Sequence, residues 1–417
     1  MKIGIVTTWF ERGAAYVSRQ YKEILELAGH EVYVYARGGE NDAVKESKWN
    51  GPNVTWGKRF SFPVPTYIDG SDFQQWLLKN SIEVAFFNEQ RWLKPVVLCR
   101  KLKIKTGLYV DYYTEDTIKD YGIFDFLICN TRKHFSAFSW HEQAYYIPWG
   151  TDVELFNTAN IRKKHKKVRF FNSSGMNPYR KGADLVVNAF SKAMENNKFK
   201  MEAELIIHTQ VALQKHFSKL DGQSLTLQNI NALQSSGSLN VIEGTVEAPG
   251  LYHKGDIYVY PSRLDGIGLT VAEAISCGMP VIVPDDGPMN EILPDTGSAV
   301  VNIEKYFCRA DAYYWPQNEV SIDDLAKKMI EYIDNRERLP EYANISRAHA
   351  LNKLNWKNNS IDIVNVFELS KFISVTPELE SKAINAFTAG YPKIGNYESI
   401  YKFIYLIKSI IEKIKKR

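Results

Sequence analysis

Cysteine is scarce and scattered in this chain of 417 residues: Cys99, Cys129, Cys277 and Cys308 form no CxxC pair, no Cys/His metal spacing and no pairing framework. A reduced, cytoplasmic compartment is the expectation. No run of about 18 apolar residues occurs, so no membrane-spanning helix is expected, and the opening MKIGIVTTW enters a strand without an apolar signal core. The chain should be soluble, or held at a membrane surface. Charge of one sign is also missing: 52 Lys and Arg against 48 Asp and Glu leave a formal +4, too little to predict nucleic acid as a partner. There is no DxD-like acidic pair for a metal ion, no internal repeat and no low-complexity block. Aromatics, at 13%, suit ring stacking and ordinary cores equally well.

What is present concentrates in residues 260–292. Asp256 to Tyr260 reads as a buried parallel strand, broken by Pro261 and Ser262. Asp265-Gly266-Ile267-Gly268 is a loop whose glycines let backbone amides approach a ligand, and Leu269 to Cys277 has helical spacing stopped by Gly278 and Pro280. A helix N-terminus behind glycines stabilises an anion, most often a phosphate. Glu273, one turn into that helix, could accept hydrogen bonds from vicinal hydroxyls such as a ribose pair, and Asp265 could hold hydroxyls of whatever lies beyond the phosphates. Pro280 to Pro284 reads as the next strand.

The rest alternates strand and helix. Residues 2–8 form a strand, the TTWFERGAAY turn contains Gly13, and a helix follows with Val17, Tyr21, Ile24, Leu25 and Ala28 on one face. Further strands are expected at 31–36, 84–87, 107–110, 125–129, 144–147, 168–172, 203–208 and 240–243, giving an α/β chain with parallel sheets. Gly13 is read equally as a plain first turn or as a ligand contact. IRKKHKKVR, residues 161–169, is read as a solvated linker before a membrane or acceptor-phosphate contact. The basic amphipathic stretch from Asn396 to Arg417 is either a helix packed on the first domain, the favoured reading, or one lying on anionic lipid.

PSRLDGIGLTVAEAISCGMPVI, 22 residues in register, resembles the signature of the retaining glycosyltransferases of family 4, whose two-domain architecture is called GT-B. Asp265 takes the first acidic place, usually Glu, and Glu273 the second, with the family's seven residues between them. IPWGTDVELF, residues 147–156, is similar to the segment that closes the family's first domain. Gly175-Met176 and Lys181-Gly182 match its GR…KG element, with Met176 where the family has Arg and Arg180 close enough to substitute. Gly244-Thr245-Val246 is similar to the segment beside the nucleotide base. Asp111 stands at the end of a strand where many members have His.

The resemblance covers residues 1 to about 365 and implies two doubly wound Rossmann-like domains facing each other across a cleft: 1–160 for the acceptor, 161–355 for the nucleotide sugar, and 356–417 returning to the first. It implies retaining, metal-independent transfer of a sugar from a nucleotide-diphosphate sugar to a hydroxyl acceptor, a glycan or glycolipid of cell-surface polysaccharide synthesis, with no cofactor. Lys181, Arg180, Gly175 and Gly266 to Gly268 would hold the diphosphate, Glu273 the ribose, Gly244 the base and Asp265 the sugar hydroxyls. Asp111 would bind an acceptor or sugar hydroxyl, or cap a turn. The three departures, Asp265, Met176 and Asp111, keep open a non-catalytic sugar-nucleotide or glycan-binding subunit.

Overall fold

The computed structural model describes residues 1–11, 13–38, 43–58, 66–158, 166–309, 315–385 and 407. All but Ile407 of the basic C-terminal stretch, and residues 161–165 of the charged linker, lie outside this set. Chain contacts divide the protein into one unit of Met1–Ile147, Arg309–Trp315 and Ile361–Arg417, and a second of Pro148–Cys308 and Pro316–Ser360. The sequence reading puts the breaks at 160 and 355.

The first unit is built on seven strands, β1 (Lys2–Thr8), β2 (Glu31–Gly38), β3 (Val54–Trp56), β4 (Val84–Asn88), β5 (Lys105–Tyr109), β6 (Phe126–Cys129) and β7 (Ala144–Tyr146). They pair in the order β3-β2-β1-β4-β5-β6-β7, every neighbour parallel. All five residues of β4 are buried, as a strand covered on both faces by crossover helices requires. The Gly13–Leu27 helix buries Ala15, Val17, Ser18, Tyr21 and Leu25. Ala28, expected on that face, is exposed, because the helix ends at Leu27 and Gly29 turns the chain at φ +85°. The three-residue edge strand β3 escapes the sequence reading because it is too short to show a period. The core is completed from far along the chain: Phe367, in the Ile363–Leu369 helix, packs on Phe86 and Phe126 with ring centroids 5.0 and 5.2 Å apart.

The second unit repeats the plan with β8 (Val168–Gly175), β9 (Ala203–Thr209), β10 (Leu239–Glu243), β11 (Ile257–Val259), β12 (Val281–Pro284) and β13 (Ala299–Val301), ordered β10-β9-β8-β11-β12-β13 and all parallel. The Ala183–Ala193 helix turns Leu185, Val186, Ala189 and Phe190 into a core with Phe170, Phe199, Ile257 and Val259, as its spacing predicts. An antiparallel hairpin, β14 (Ile303–Phe307) and β15 (Gln317–Val320), stands beside this sheet, and the segment joining its strands is the one grouped with the first unit.

In each sheet the strand order reverses once, between β1 and β4 and between β8 and β11. An open parallel sheet offers its ligand crevice there, outside the carboxyl ends of the strands. The loops leaving β8 and β11 therefore mark the place to look in the second unit, and those leaving β1 and β4 the place in the first.

Candidate functional site

In the second unit the chain leaves β8 at Gly175, whose φ of +53° turns it into residues 176–182. That loop folds on itself: the Lys181 amide donates to the Asn177 carbonyl at 3.1 Å and the Ala183 amide to the Pro178 carbonyl at 2.9 Å. Gly182 then starts the next helix at φ +73°, with Pro261 so close that a Cβ would stand 2.2 Å from its carbonyl oxygen. No other residue fits. The loop from β11 is stitched to the first. The Arg263 amide donates to the Arg180 carbonyl at 2.8 Å, and the Arg180 guanidinium donates to the Leu264 carbonyl at 2.7 Å.

Arg263, inside the signature stretch, is 2% exposed and makes a bidentate pair with Asp184 at 2.8 Å for both bonds. It also donates to Glu319 and to the Tyr179 carbonyl, and its guanidinium lies 4.0 Å from the Tyr179 ring centroid. A fork of five donors saturated in this way clamps both loops to the Ala183–Ala193 helix and to β15.

The clamped loops set Lys181 against Asp265. The ammonium lies 2.5 Å from Asp265 Oδ2, Tyr260 donates to the same oxygen at 2.6 Å, and Lys181 in turn donates to the Tyr260 hydroxyl. Burial pushes the Asp265 carboxyl up, but Lys181 and Arg180 outweigh it and hold it at about 2. Burial lowers Lys181 to about 8 against the pull of Asp265, so the pair stays ionised through the neutral range.

Beyond Asp265, Gly266 and Gly268 bring the backbone to the start of the Leu269–Ser276 helix. Gly268, at φ +82°, is its N-cap and supplies no side-chain cap, so the amides of the first turn have none. Ile267 turns its side chain into the core, 3% exposed, and can offer a ligand only its backbone. Glu273 is half-buried and accepts a hydrogen bond from Tyr252. Burial pushes its carboxyl up to about 7, although Tyr252 and Lys181 both favour the ion. Gly244, at the carboxyl end of β10 and φ +130°, faces open space; its carbonyl accepts from His208 Nε2 at 2.9 Å, and His208 Nδ1 lies 3.0 Å from the Ser173 hydroxyl.

The structure therefore brings Lys181, Asp265, Arg180, Glu273 and the Gly266–Gly268 backbone to one switch point. Met176 is 53% exposed, and Arg180 stays within electrostatic range of Lys181 and Asp265. Among the described residues no cluster of His, Cys, Asp and Glu suits a metal ion. The arrangement can hold a diphosphate on cationic and amide donors with vicinal hydroxyls on Glu273.

Gly13 and Asp111 belong to the first unit. Gly13 is exposed at the first residue of its helix. Asp111 follows β5, is 5% exposed, and lies 3.6 Å from Arg91. Burial pushes its carboxyl up to about 7, Glu89 adds to the shift and Arg91 opposes it.

Tyr252, Tyr260, Arg263 and Asp184 were not legible as site residues. For Tyr260, Arg263 and Asp184 the signal was positional, since each lies in or beside the two glycine loops, but a buried arginine or tyrosine shows its partner only in three dimensions; Tyr252, in a short helix ahead of β11, gave none.

Residues 156–349 match the model of the glycosyl transferases group 1 family. This segment belongs to that family. A GDP-mannose-dependent monoacylated alpha-(1-6)-phosphatidylinositol monomannoside mannosyltransferase of Corynebacterium glutamicum is 23% identical over 57% of this chain and 59% of its own length. An uncharacterized glycosyltransferase of Methanocaldococcus jannaschii is 23% identical over 54% of this chain and 50% of its own. The chain thus spans about half the length of these relatives. A glycosyltransferase structure from Rickettsia africae superposes with a TM-score of 0.67 at 13% identity, covering 88% of this chain and 98% of that one. Anabaena HepE in complex with UDP-glucose superposes at 0.66 and 14% identity, covering 88% of this chain and all of that one. The fold is that of the GT-B glycosyltransferases, two Rossmann-like α/β domains.

Proposed function

We propose that this group 1 chain transfers a glycosyl group from a nucleotide-diphosphate sugar to a hydroxyl acceptor, with retention at the anomeric carbon and without a metal ion. The observation that carries this reading is the Lys181–Asp265 pair beside Glu273 at the switch point of the second unit. In the reaction the bond from the anomeric carbon to the diphosphate oxygen breaks, its electron pair leaving with the diphosphate, and a bond to the acceptor oxygen forms as the acceptor's hydroxyl proton passes to the departing diphosphate. Lys181, Arg180 and the Gly266–Gly268 amides stabilise the leaving charge, a service that needs no metal. Glu273 accepts from the ribose, Asp265 from the sugar hydroxyls, and Gly244 lines the space for the base.

UDP in the HepE structure and GDP-mannose in the Corynebacterium relative's name make uridine and guanosine diphosphosugars the first donors to try. The acceptor is read as a glycan or glycolipid, and the work as cytoplasmic, at or near the membrane's inner face. Among the described residues no helix is long and apolar enough to cross a membrane.

Thermal melts against UDP-, GDP-, ADP-, TDP- and CMP-sugars, with and without EDTA, test this. A site filled at 100 times its dissociation constant adds about 2.7 kcal/mol. One nucleotide should shift the melt, unaffected by EDTA, and the shift should vanish in Glu273→Ala. No shift with any of them sinks the reading. A shift without turnover on any acceptor favours the binding-subunit alternative.

A further inference from the structure

Glu273 and Asp265, the two carboxylates assigned to the donor, are each held by a tyrosine from one stretch of chain. Tyr252, in the short Tyr252–Lys254 helix ahead of β11, donates to Glu273 Oε2, and Tyr260, just past β11, donates to Asp265 Oδ2 at 2.6 Å. Between them lies Tyr258, its ring centroid 5.8 Å from that of Tyr252 and 5.5 Å from that of Tyr260. A row of three buried rings thus carries a carboxylate at each end.

At the Glu273 end the row is fixed by packing. Tyr252 is wedged edge-on against Phe171, Tyr258 and Phe156, with centroids 6.1, 5.8 and 6.2 Å away. Burial and the Glu273 charge, with Tyr258 and Cys277 adding to them, hold its hydroxyl far above the usual tyrosine range, so it remains a donor at every working pH. Glu273 is half-buried, and among the described residues its Oε1 has no hydrogen-bond partner. Lys181 acts on it by charge alone. Arg347, from the Leu339–Lys353 helix behind, is spent on the carbonyls of Val153, Phe156 and Ser276. A tyrosine that only filled the core would leave this carboxylate free to turn and to take a proton.

We propose that Tyr252 is a positioning residue for donor binding, its hydroxyl fixing Glu273 Oε2 so that Oε1 is left for the vicinal hydroxyls of the donor's ribose. This deepens the proposed function and rests on it for the ribose. The coupling of Tyr252 to Glu273 can be tested without any donor.

The experiment compares the full-length wild type with Tyr252→Phe, which keeps the ring and removes the hydroxyl. Without donor, the infrared band of the protonated Glu273 carboxyl, identified by its loss in Glu273→Gln, should titrate about one pH unit higher in Tyr252→Phe, because a hydrogen bond that favours the ion is gone. The dissociation constant of whichever UDP- or GDP-sugar shifts the wild-type melt should weaken about fivefold at pH 7 and return to within about twofold at pH 9. Phe171→Leu, which loosens the packing and keeps the hydroxyl, should lower Tm and leave both titrations in place. An unmoved band, or an affinity loss equal at all pH values, overturns the positioning role. A band that moves in a protein whose melt no nucleotide sugar shifts supports the coupling and overturns the donor reading instead.

Discussion

Lys181 Nζ lies 2.5 Å from Asp265 Oδ2, and Tyr260 donates to that same oxygen at 2.6 Å. One carboxylate oxygen thus serves two donors. Lys181→Ala removes the charge that faces the leaving diphosphate and leaves a half-buried carboxylate without its cation. Transfer should fall at least about 100-fold, the scale of one lost transition-state contact. Turnover within a few-fold of wild type would remove Lys181 from the reaction.

Glu273 couples donor binding to pH. Its folded-state carboxyl is pushed up by burial to about 7, above its ordinary 4.5. Between these values the folded protein keeps a proton that the unfolded chain has released. The group's contribution to stability therefore falls as pH rises through that window, by on the order of 2–3 kcal/mol. Only the ion accepts from both ribose hydroxyls, so the melt shift given by a nucleotide sugar should weaken as pH falls through about 7. Glu273→Gln should raise the ligand-free Tm at about pH 8 and abolish the shift. A pH-independent shift in wild type would contradict this.

Gly182→Ala tests the seam between the loops. At φ +73° and with Pro261 oxygen 2.2 Å from the new Cβ, the backbone must move. Urea unfolding should show a loss of about 2–4 kcal/mol, with weaker donor binding because Lys181 is the preceding residue. An unchanged midpoint would mean that the seam yields freely.

Arg263→Met strands Asp184, a buried carboxylate that this arginine holds in a bidentate pair. Removing one partner of such a pair costs about 3–5 kcal/mol. Lys305→Ala, which removes a 61% exposed lysine from the same Glu319, should stay within about 0.5 kcal/mol. Equal losses in the two variants would show that burial is not what matters.

The strands and the donor loops were legible because both are local. Hydrophobic runs of four to eight residues and two glycine turns before helices need no knowledge of distant residues. Asp265, Lys181 and Glu273 were found through their spacing to those glycines. Arg263 was passed over, since a charged residue in a loop reads as solvated, whereas 84 positions separate it from the Tyr179 carbonyl that it holds. The three-residue edge strand β3 escaped for want of length, and the hairpin β14–β15 because IEKYF and QNEV are too polar to read as apolar runs.

The closing of the first unit by distant residues has a consequence for synthesis on the ribosome. Gln143 exchanges hydrogen bonds with the backbone of Lys371 at 2.7 and 2.8 Å, Arg100 and Asp125 bind the backbone of Ile373, and Ala383 is buried in the same core as Tyr35 and Phe87. Translation delivers the whole of the second unit, through Ser360, before any of these arrives. Domains usually mature in the order of their synthesis. Here the half made first finishes last, and for most of translation it is an open parallel sheet with a face of Phe86 and Phe126 waiting for Phe367. A nascent chain stalled short of that residue would present this uncovered face to chaperones while its nucleotide-sugar half was already complete.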